Sequence, residues 1–288
     1  MIGRKLLQFA LALGLVLPLA APASGQSGAL QKIRKQGFVT LGYIDGAAPF
    51  SSTDGNGDPQ GYSVDLCRAV AEGLRTQLKR ENLKTRWVKL TIQNRLDAVR
   101  RGQVDIECST TTWTLGRQAL VDFSLVTFVD GASILSKADT EVSRLADYNG
   151  KRIAVIAGTT TEKALRDALG RGLIRAEVVP VKTRDEGLAL LNQSQVEGLA
   201  SDRTTLIGVL AKSASGGVFK LLDQDFSIEP YALVLPRGDY DFRLAVNRVL
   251  AGLYRTGEIR PIYDRWLGPL GPPSLLLSAG YFIQSLSE

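Results

Sequence analysis

Histidine is absent from all 288 residues, and that absence removes a large share of enzyme chemistry. Histidine general acid–base catalysis, Ser–His and Cys–His nucleophile pairs and imidazole metal ligands are excluded together. Cysteine is nearly as scarce, with Cys67 and Cys108 the only two. In an oxidising compartment they can close one disulfide; two buried thiols are the other reading, and sequence alone does not give their separation in space. Clustered Lys and Arg with interleaved aromatics are also missing, so nucleic acid is not an expected partner. After the first 20 residues no apolar run is long enough to cross a bilayer. One stretch, Asp54-Gly55-Asn56-Gly57-Asp58, superficially resembles a calcium loop but lacks the later acidic ligand, so it reads as a hairpin turn. No metal and no cofactor are expected.

The chain begins with Arg4 and Lys5, followed by an apolar run from Leu6 to Ala20 and the small-x-small pattern Ala21-Pro22-Ala23. That order predicts a cleaved export signal over 1–23, with cleavage after Gly25 as a second option. The run is about 15 residues, short of the ~20 that a membrane anchor needs. No cysteine stands directly after it, so a lipid anchor at that point is not indicated. Net charge is +6 overall. The excess is spread along the chain, which suits weak attraction of anionic ligands and little more. With 44% apolar and 22% charged residues, the exported chain of about 265 residues has the composition of one large or two modest globular domains.

Beyond the leader, strand-like and helix-like segments alternate. Strands are predicted at 38–43, 87–90, 104–108, 131–135, 151–156, 176–180, 196–200 and 231–235. Helices are predicted between them, with the longest at 61–78 and 242–256, the latter stopped by Gly257. Alternation of this kind argues for α/β architecture with parallel sheets, arranged as two series that divide near 129–135. A chain that crosses to a second lobe and returns would leave a cleft, with ligands at the carboxyl ends of strands. The tail from Gly268 onward is rich in Gly and Pro, then mildly apolar, and has no assigned role.

Four strings, in order, resemble the extracellular solute-binding proteins of polar amino-acid ABC importers. They are APFSSTDGNGDPQGYSVDLCRAVAEGL (48–74), QNRLDAVRRGQVDIECSTTTWTLGRQALVDFS (93–124), LADYNGKRIAVIAGTTTEKAL (145–165) and IEPYALVLPRGDYDFRLAVNRVLAGLYRTGEIRPIYDRWLG (228–268). The glutamate/aspartate-binding branch is the nearest. The resemblance implies a two-lobed type II periplasmic-binding fold of Venus-flytrap form. Lobe 1 would comprise 24–128 plus 230–267, lobe 2 would be 129–229, and hinge crossings would lie near 128–132 and 228–231. It also implies a periplasmic location, a small polar ligand, an inner-membrane ABC permease as partner, and no catalysis; the chain is expected to be a monomer.

The same resemblance places Arg117 on the ligand's α-carboxylate, where a planar guanidinium fork fits a carboxylate bidentately. It places Thr110 and Thr112 in the same loop, with hydroxyls that both donate and accept. Thr160, with Thr159 beside it, opens a second-lobe helix whose N-terminus favours anions, and either can simply cap that helix. Asp202 would take the α-ammonium. Relatives often carry an aromatic ring before Pro-Phe, where this chain has Ala47-Ala48, so Trp113 is the candidate replacement. A basic contact of the acidic branch falls on Ile44, and its second-lobe histidine aligns near Arg184. Two alternatives stay open. One is a dehydratase-like enzyme for small carboxylates, with Glu107, Glu162 and Asp202 as candidate acids. The other is a ligand-sensing module on the same fold.

Overall fold

The computed structural model describes residues 28–212 and 218–287; the predicted leader therefore lies outside the described residues. The first part of the chain runs α1 (Gly28–Gln36), β1 (Phe38–Ile44), β2 (Ser52–Thr53), β3 (Pro59–Gln60), α2 (Tyr62–Gln77), β4 (Lys84–Leu90), α3 (Arg95–Arg100), β5 (Ile106–Glu107) and α4 (Leu115–Gln118). A long strand, β6 (Asp122–Lys137), leads into β7 (Arg152–Ile156), α5 (Thr160–Arg171), β8 (Glu177–Val181), α6 (Arg184–Asn192), β9 (Gly198–Asp202), α7 (Arg203–Lys212) and β10 (Phe219–Leu221). The strand β11 (Ser227–Leu235) returns the chain to α8 (Tyr240–Thr256), α9 (Ile259–Trp266) and α10 (Leu275–Ile283).

The main sheet has nine strands in the order β4-β1-β5-β11-β6-β9-β7-β8, with β10 added on β6. Pairing is parallel within β4-β1-β5 and within β9-β7-β8. It is antiparallel where β6 and β11 meet each other and their neighbours, so the sheet is mixed rather than parallel throughout. The parallel blocks follow from helical crossovers, which return the chain to the same strand direction. The antiparallel members are the strands that carry the chain between the two halves.

Apolar burial divides along the same line. Leu41, Leu66, Val70, Leu233, Phe242 and Val246 belong to the large cluster on one face of the first half, and Ile44, Leu90, Val104 and Val234 to that on its other face. In the second half, Ile134, Ile153, Val155 and Leu165 fill one face, and Leu135, Ile156, Leu199 and Leu206 the other. Strands buried on both faces read as near-continuous apolar runs, as β1 (FVTLGYI) does. Several helices start on capping side chains. Thr159 accepts from Glu162 N, Thr183 from Glu186 N and Asp239 from Phe242 N. Gly257 closes α8 in the left-handed region at φ 80°, which suits a residue without Cβ.

Three features differ from the sequence reading. The strand predicted at 131–135 is part of the longer β6, because Asp130 and Gly131 keep pairing with β11 where the sequence suggested a start. The strand predicted at 231–235 begins instead at Ser227, with Pro230 paired opposite Val129. The 268–288 tail carries α10, which packs on the first half with Leu277 and Tyr281 in the large cluster. The Tyr281 ring stacks on Tyr254 at 4.8 Å, and its hydroxyl donates to Thr127 O at 3.0 Å. Gln284 holds Val126 at both its N–H and its C=O. Tyr281→Ala is therefore expected to cost about 3–5 kcal/mol of stability, as other large-to-small changes at buried rings do. Tyr281→Phe, which loses only the hydroxyl contacts, should cost about 1 kcal/mol in urea unfolding.

Cys67 on α2 and Cys108, just after β5, form a disulfide with Cα atoms 6.2 Å apart. The Asp54–Asp58 stretch is the turn of the β2-β3 hairpin. Asp54 Oδ1 accepts from Asn56 N and Asp58 N, which fixes the turn. No group of three or more metal-ligating side chains occurs among the described residues. Among the same residues, no helix is long and apolar enough to cross a membrane.

Candidate functional site

The loop after β5 and the starts of α5 and α6 face each other across the line between the halves. They enclose a cavity of about 20 Å³ lined by Arg95, Thr110, Thr112, Ile92 and Ile156, together with Thr159, Thr160, Thr161, Arg184, Ala200, Ser201 and Asp202. This volume is on the order of a single water site, so the two walls are closed on one another. Larger hollows of about 730 Å³ and 530 Å³ lie on the outer surface of the first half. The first is bordered by Arg75, Lys79 and Arg80, and the second by Lys32 and Arg237. Neither joins side chains from both halves. The small cavity does, and it gathers most of the polar groups that the sequence offered.

Each candidate has a definite place. Thr112 and Thr160 approach across the gap, with hydroxyl oxygens 3.1 Å apart. Thr112 is also tied to Tyr231 of β11 by an isolated antiparallel bridge. Thr110 lines the cavity, and its carbonyl accepts from Arg95 Nη1 at 3.5 Å. The Thr159 hydroxyl accepts from Glu162 N and donates to Ile156 O, so it serves the start of α5. Arg184 reaches from α6 to the opposite half. Its Nε donates to Ser201 Oγ at 3.1 Å and its Nη1 to the carbonyl of Gly46. Asp202 ends β9 and accepts from Thr161 Oγ1 at 3.3 Å. Contact between the halves is backed by Gly208 of α7, where an added Cβ would stand 2.8 Å from the carbonyl oxygen of Ala48.

Two candidates lie outside the cavity lining. Arg117 stands beside it on α4, and its Nη1 donates to Thr112 O at 2.8 Å. Burial lowers its pKa to about 10, and the like charge of Arg95 adds to the shift; Glu229, Glu107 and Asp202 oppose it. The group remains a cation at neutral pH. Trp113 is 41% exposed, and its backbone N–H rather than its ring makes the inward contact, to Pro230 O at 2.7 Å.

Sequence reasoning passed over Arg95 and Glu229. Arg95 opens α3 and is buried, which is unusual for an arginine and marks it for partners. Glu229 on β11 accepts from Thr112 and Thr160. The signals available were the Gln-Asn-Arg and Glu-Pro-Tyr strings, which carried the resemblance without pointing to a role. Of the candidate acids, Glu162 is engaged by Gly158 N and Arg166 at the start of α5. Glu107 lies beneath the loop, where burial raises its carboxyl while Arg95, Thr111 and Arg117 oppose the shift.

The buried carboxylates make stability depend on pH. Asp130, on β6, is pushed up to about 7 by burial and by the charge of Asp202, although Gly131 and Thr204 donate to it. In the unfolded chain it releases its proton near pH 3.9. Between about pH 4 and 7 the folded state holds a proton that the unfolded state has lost, so stability falls as pH rises through that window. Burial shifts Asp202 in the same direction. Unfolding free energy of the parent is expected to decline between pH 5 and 7. Asp130→Asn should flatten that slope by about 1.4 kcal/mol per pH unit, the value for one proton. Denaturant titrations at several pH values measure this directly.

Two lobes joined by a pair of crossing strands, with polar groups from both meeting in one cleft, define a solute-binding protein of the two-lobed type. A family model for bacterial extracellular solute-binding proteins, family 3, matches residues 39–269, and the chain belongs to that family. It is 33% identical over 264 residues to an L-glutamate/L-aspartate-binding protein of Pseudomonas aeruginosa, covering 90% of this chain and 87% of the relative. It is 29% identical to a glutamate/aspartate import solute-binding protein of Salmonella typhimurium, covering 94% and 91%. Among solved structures it resembles the ancestral amino acid-binding protein AncCDT-1, described as a precursor of cyclohexadienyl dehydratase. The TM-score is 0.70 and identity 26%, covering 82% of this chain and 98% of that one.

Proposed function

We propose that this chain is the exported substrate-binding component of an ABC importer, and that it takes an acidic amino acid between its lobes. The carrying observation is the charge pattern of the cleft. Arg95 and Arg184 line it and Arg117 adjoins it, with Asp202 the one carboxylate on its lining. An acidic amino acid presents two carboxylates and one ammonium, and guanidinium groups are the natural partners of the former. In this reading Arg117, Thr110, Thr112, Thr159 and Thr160 surround the α-amino-acid group, Asp202 takes its ammonium, and Arg184 and Arg95 face the side chain. Ligand contacts made by both walls favour the closed form, and rotation at 128–132 and 228–231 opens it. A permease in the inner membrane would then read the closed form.

Binding without turnover is part of the proposal. Glu162 is held in a helix start, and Glu107 does not line the cavity. The likeness to a dehydratase precursor favours one direct check, mass analysis of candidate ligands after prolonged incubation with the protein. Unaltered ligand is the expected result, and product formation would overturn this part.

Calorimetry against L-glutamate, L-aspartate, their amides, and neutral and basic amino acids tests the ligand class. Tight binding confined to the acidic pair is expected. Asp202→Asn should weaken that binding by roughly 10- to 100-fold, the cost of losing a charge-assisted hydrogen bond in a buried site. Equal affinity in the Asp202→Asn protein would sink the ammonium assignment, and silence across the panel would sink the amino-acid reading.

A further inference from the structure

Glu229 is 2% exposed and lies on β11, where the chain returns from the second lobe. Three hydroxyl groups donate to it. Thr112 Oγ1 and Thr160 Oγ1 reach Oε2 at 2.7 Å and 2.8 Å, and Ser227 Oγ reaches Oε1 at 2.7 Å. Thr112 comes from one wall of the cleft and Thr160 from the other. Both threonines line the cavity, whereas Glu229 does not. The carboxylate thus stands behind the two hydroxyls and holds them from outside the ligand space.

A hydroxyl has one proton and two lone pairs, while a carboxylate only accepts. Once each threonine gives its proton to Glu229, both present lone pairs to the cavity. The 3.1 Å contact between the two hydroxyl oxygens does not alter this, because both bonds to the carboxylate are shorter and charge-assisted. The neighbouring hydroxyls of the second wall are committed in the same way. Thr159 donates to Ile156 O at 2.7 Å, and Thr161 donates to Asp202 at 3.3 Å. Five threonines line this small cavity, and the four besides Thr110 would by themselves be indifferent to ligand polarity. Here the acceptors around them turn their oxygens into acceptors toward the ligand, on the lining that also carries Asp202.

We propose that Glu229 is a positioning residue that sets the polarity of the cleft. By holding the protons of Thr112 and Thr160 it makes these hydroxyls accept from a ligand's ammonium rather than donate to its carboxylate. Glu229 thereby selects for amino acids over the matching dicarboxylates, without touching either. The inference rests on the amino-acid reading given above.

The test compares dissociation constants for L-glutamate against glutarate and L-aspartate against succinate, in the parent, Glu229→Gln, Thr112→Val and Thr160→Val proteins. A glutamine keeps one oxygen with two lone pairs but loses the charge, and its NH2 only donates, so the bonds from Thr112 and Thr160 lose their charge assistance and the hydroxyls are freer to turn their protons to a ligand. In Glu229→Gln the preference for the amino acid over its des-amino partner should shrink at least about tenfold, mainly through weaker amino-acid binding. Part of that change reflects the lost charge, so the valine variants, which keep the carboxylate and the side-chain shape, carry the second arm. They should weaken the amino acid more than the dicarboxylate. A role for Glu229 in folding alone would weaken both ligands equally and leave the ratio unchanged, which overturns the proposal. Equal losses for dicarboxylate and amino acid in the valine variants overturn it too, because the hydroxyls would then serve the carboxylates. These valine proteins decide the matter if Glu229→Gln does not fold. A parent protein that binds neither amino acid refutes the amino-acid reading itself, a result separate from any change in ratio.

Discussion

Arg117→Met is expected to weaken binding of the acidic amino acid proposed as ligand by at least a hundredfold, close to 3 kcal/mol at ~1.4 kcal/mol per factor of ten. The side chain lies on the four-residue helix α4, whose start is pinned by Thr114 Oγ1 accepting from Arg117 N at 3.2 Å. Its guanidinium is held by the Thr112 carbonyl, so little reorganisation is needed before a carboxylate docks. Three carboxylates lie close enough to influence it, Glu229, Glu107 and Asp202. Removing the cation leaves those anions less compensated and leaves an incoming carboxylate without its fork, and both effects disfavour an anionic ligand. Arg117→Lys keeps the charge but loses the planar geometry and should cost about tenfold. Calorimetry measures the affinities, and the melting temperature of the ligand-free variant shows whether it folds. Unchanged affinity in the methionine variant would remove Arg117 from the site.

Loss of the Cys67–Cys108 disulfide should lower stability about as much as Tyr281→Ala. The bridge joins α2 to the end of β5 across 41 residues, and both sulfurs are buried in the large cluster of the first lobe. On the chain-entropy account, a loop of that length contributes about 4 kcal/mol by restricting the unfolded state. The Cys67→Ser/Cys108→Ser protein should therefore melt roughly 8–16 °C below the parent, given about 2–4 °C per kcal/mol for a chain of this size. Replacement by serine adds two buried hydroxyls, so the Cys67→Ala/Cys108→Ala protein is the control for polarity. A shift of less than about 2 °C in the alanine protein would show that the unfolded chain is not constrained as this account requires.

Sequence carried the architecture further than the details of the cleft. Alternating strands and helices, with caps and glycine stops at their ends, were enough for the α/β class and the two-lobed arrangement. Local signals misled at the crossings. Gly131 and Pro230 normally punctuate strands, yet both sit within paired strands here because β6 and β11 support each other. The role of the tail depended on a distant partner, Tyr254, that no local pattern reveals. Around the cleft, Thr110, Thr112, Thr159, Thr160, Arg184 and Asp202 fall on the lining of one cavity, whereas Arg117 and Trp113 do not. Arg95 and Glu229 were illegible for a physical reason. Their part depends on burial and on contacts 15 and 117 residues away, and an isolated charged residue in a sequence reads first as solvent-facing.

The pairing of β6 with β11 continues from Ser227↔Ala132 to Tyr231↔Phe128, where the chain passes between the halves. Two crossings bonded into one ladder form a ribbon, not a pair of independent tethers. Stretching or sideways shear would break several ladder bonds together, while bending spreads small backbone rotations over the register shifts beside Ala232. Should the lobes rotate as proposed above, such a ribbon would leave bending as the one soft coordinate. A single distance between two labels, one on each lobe, would then report the whole state of the molecule.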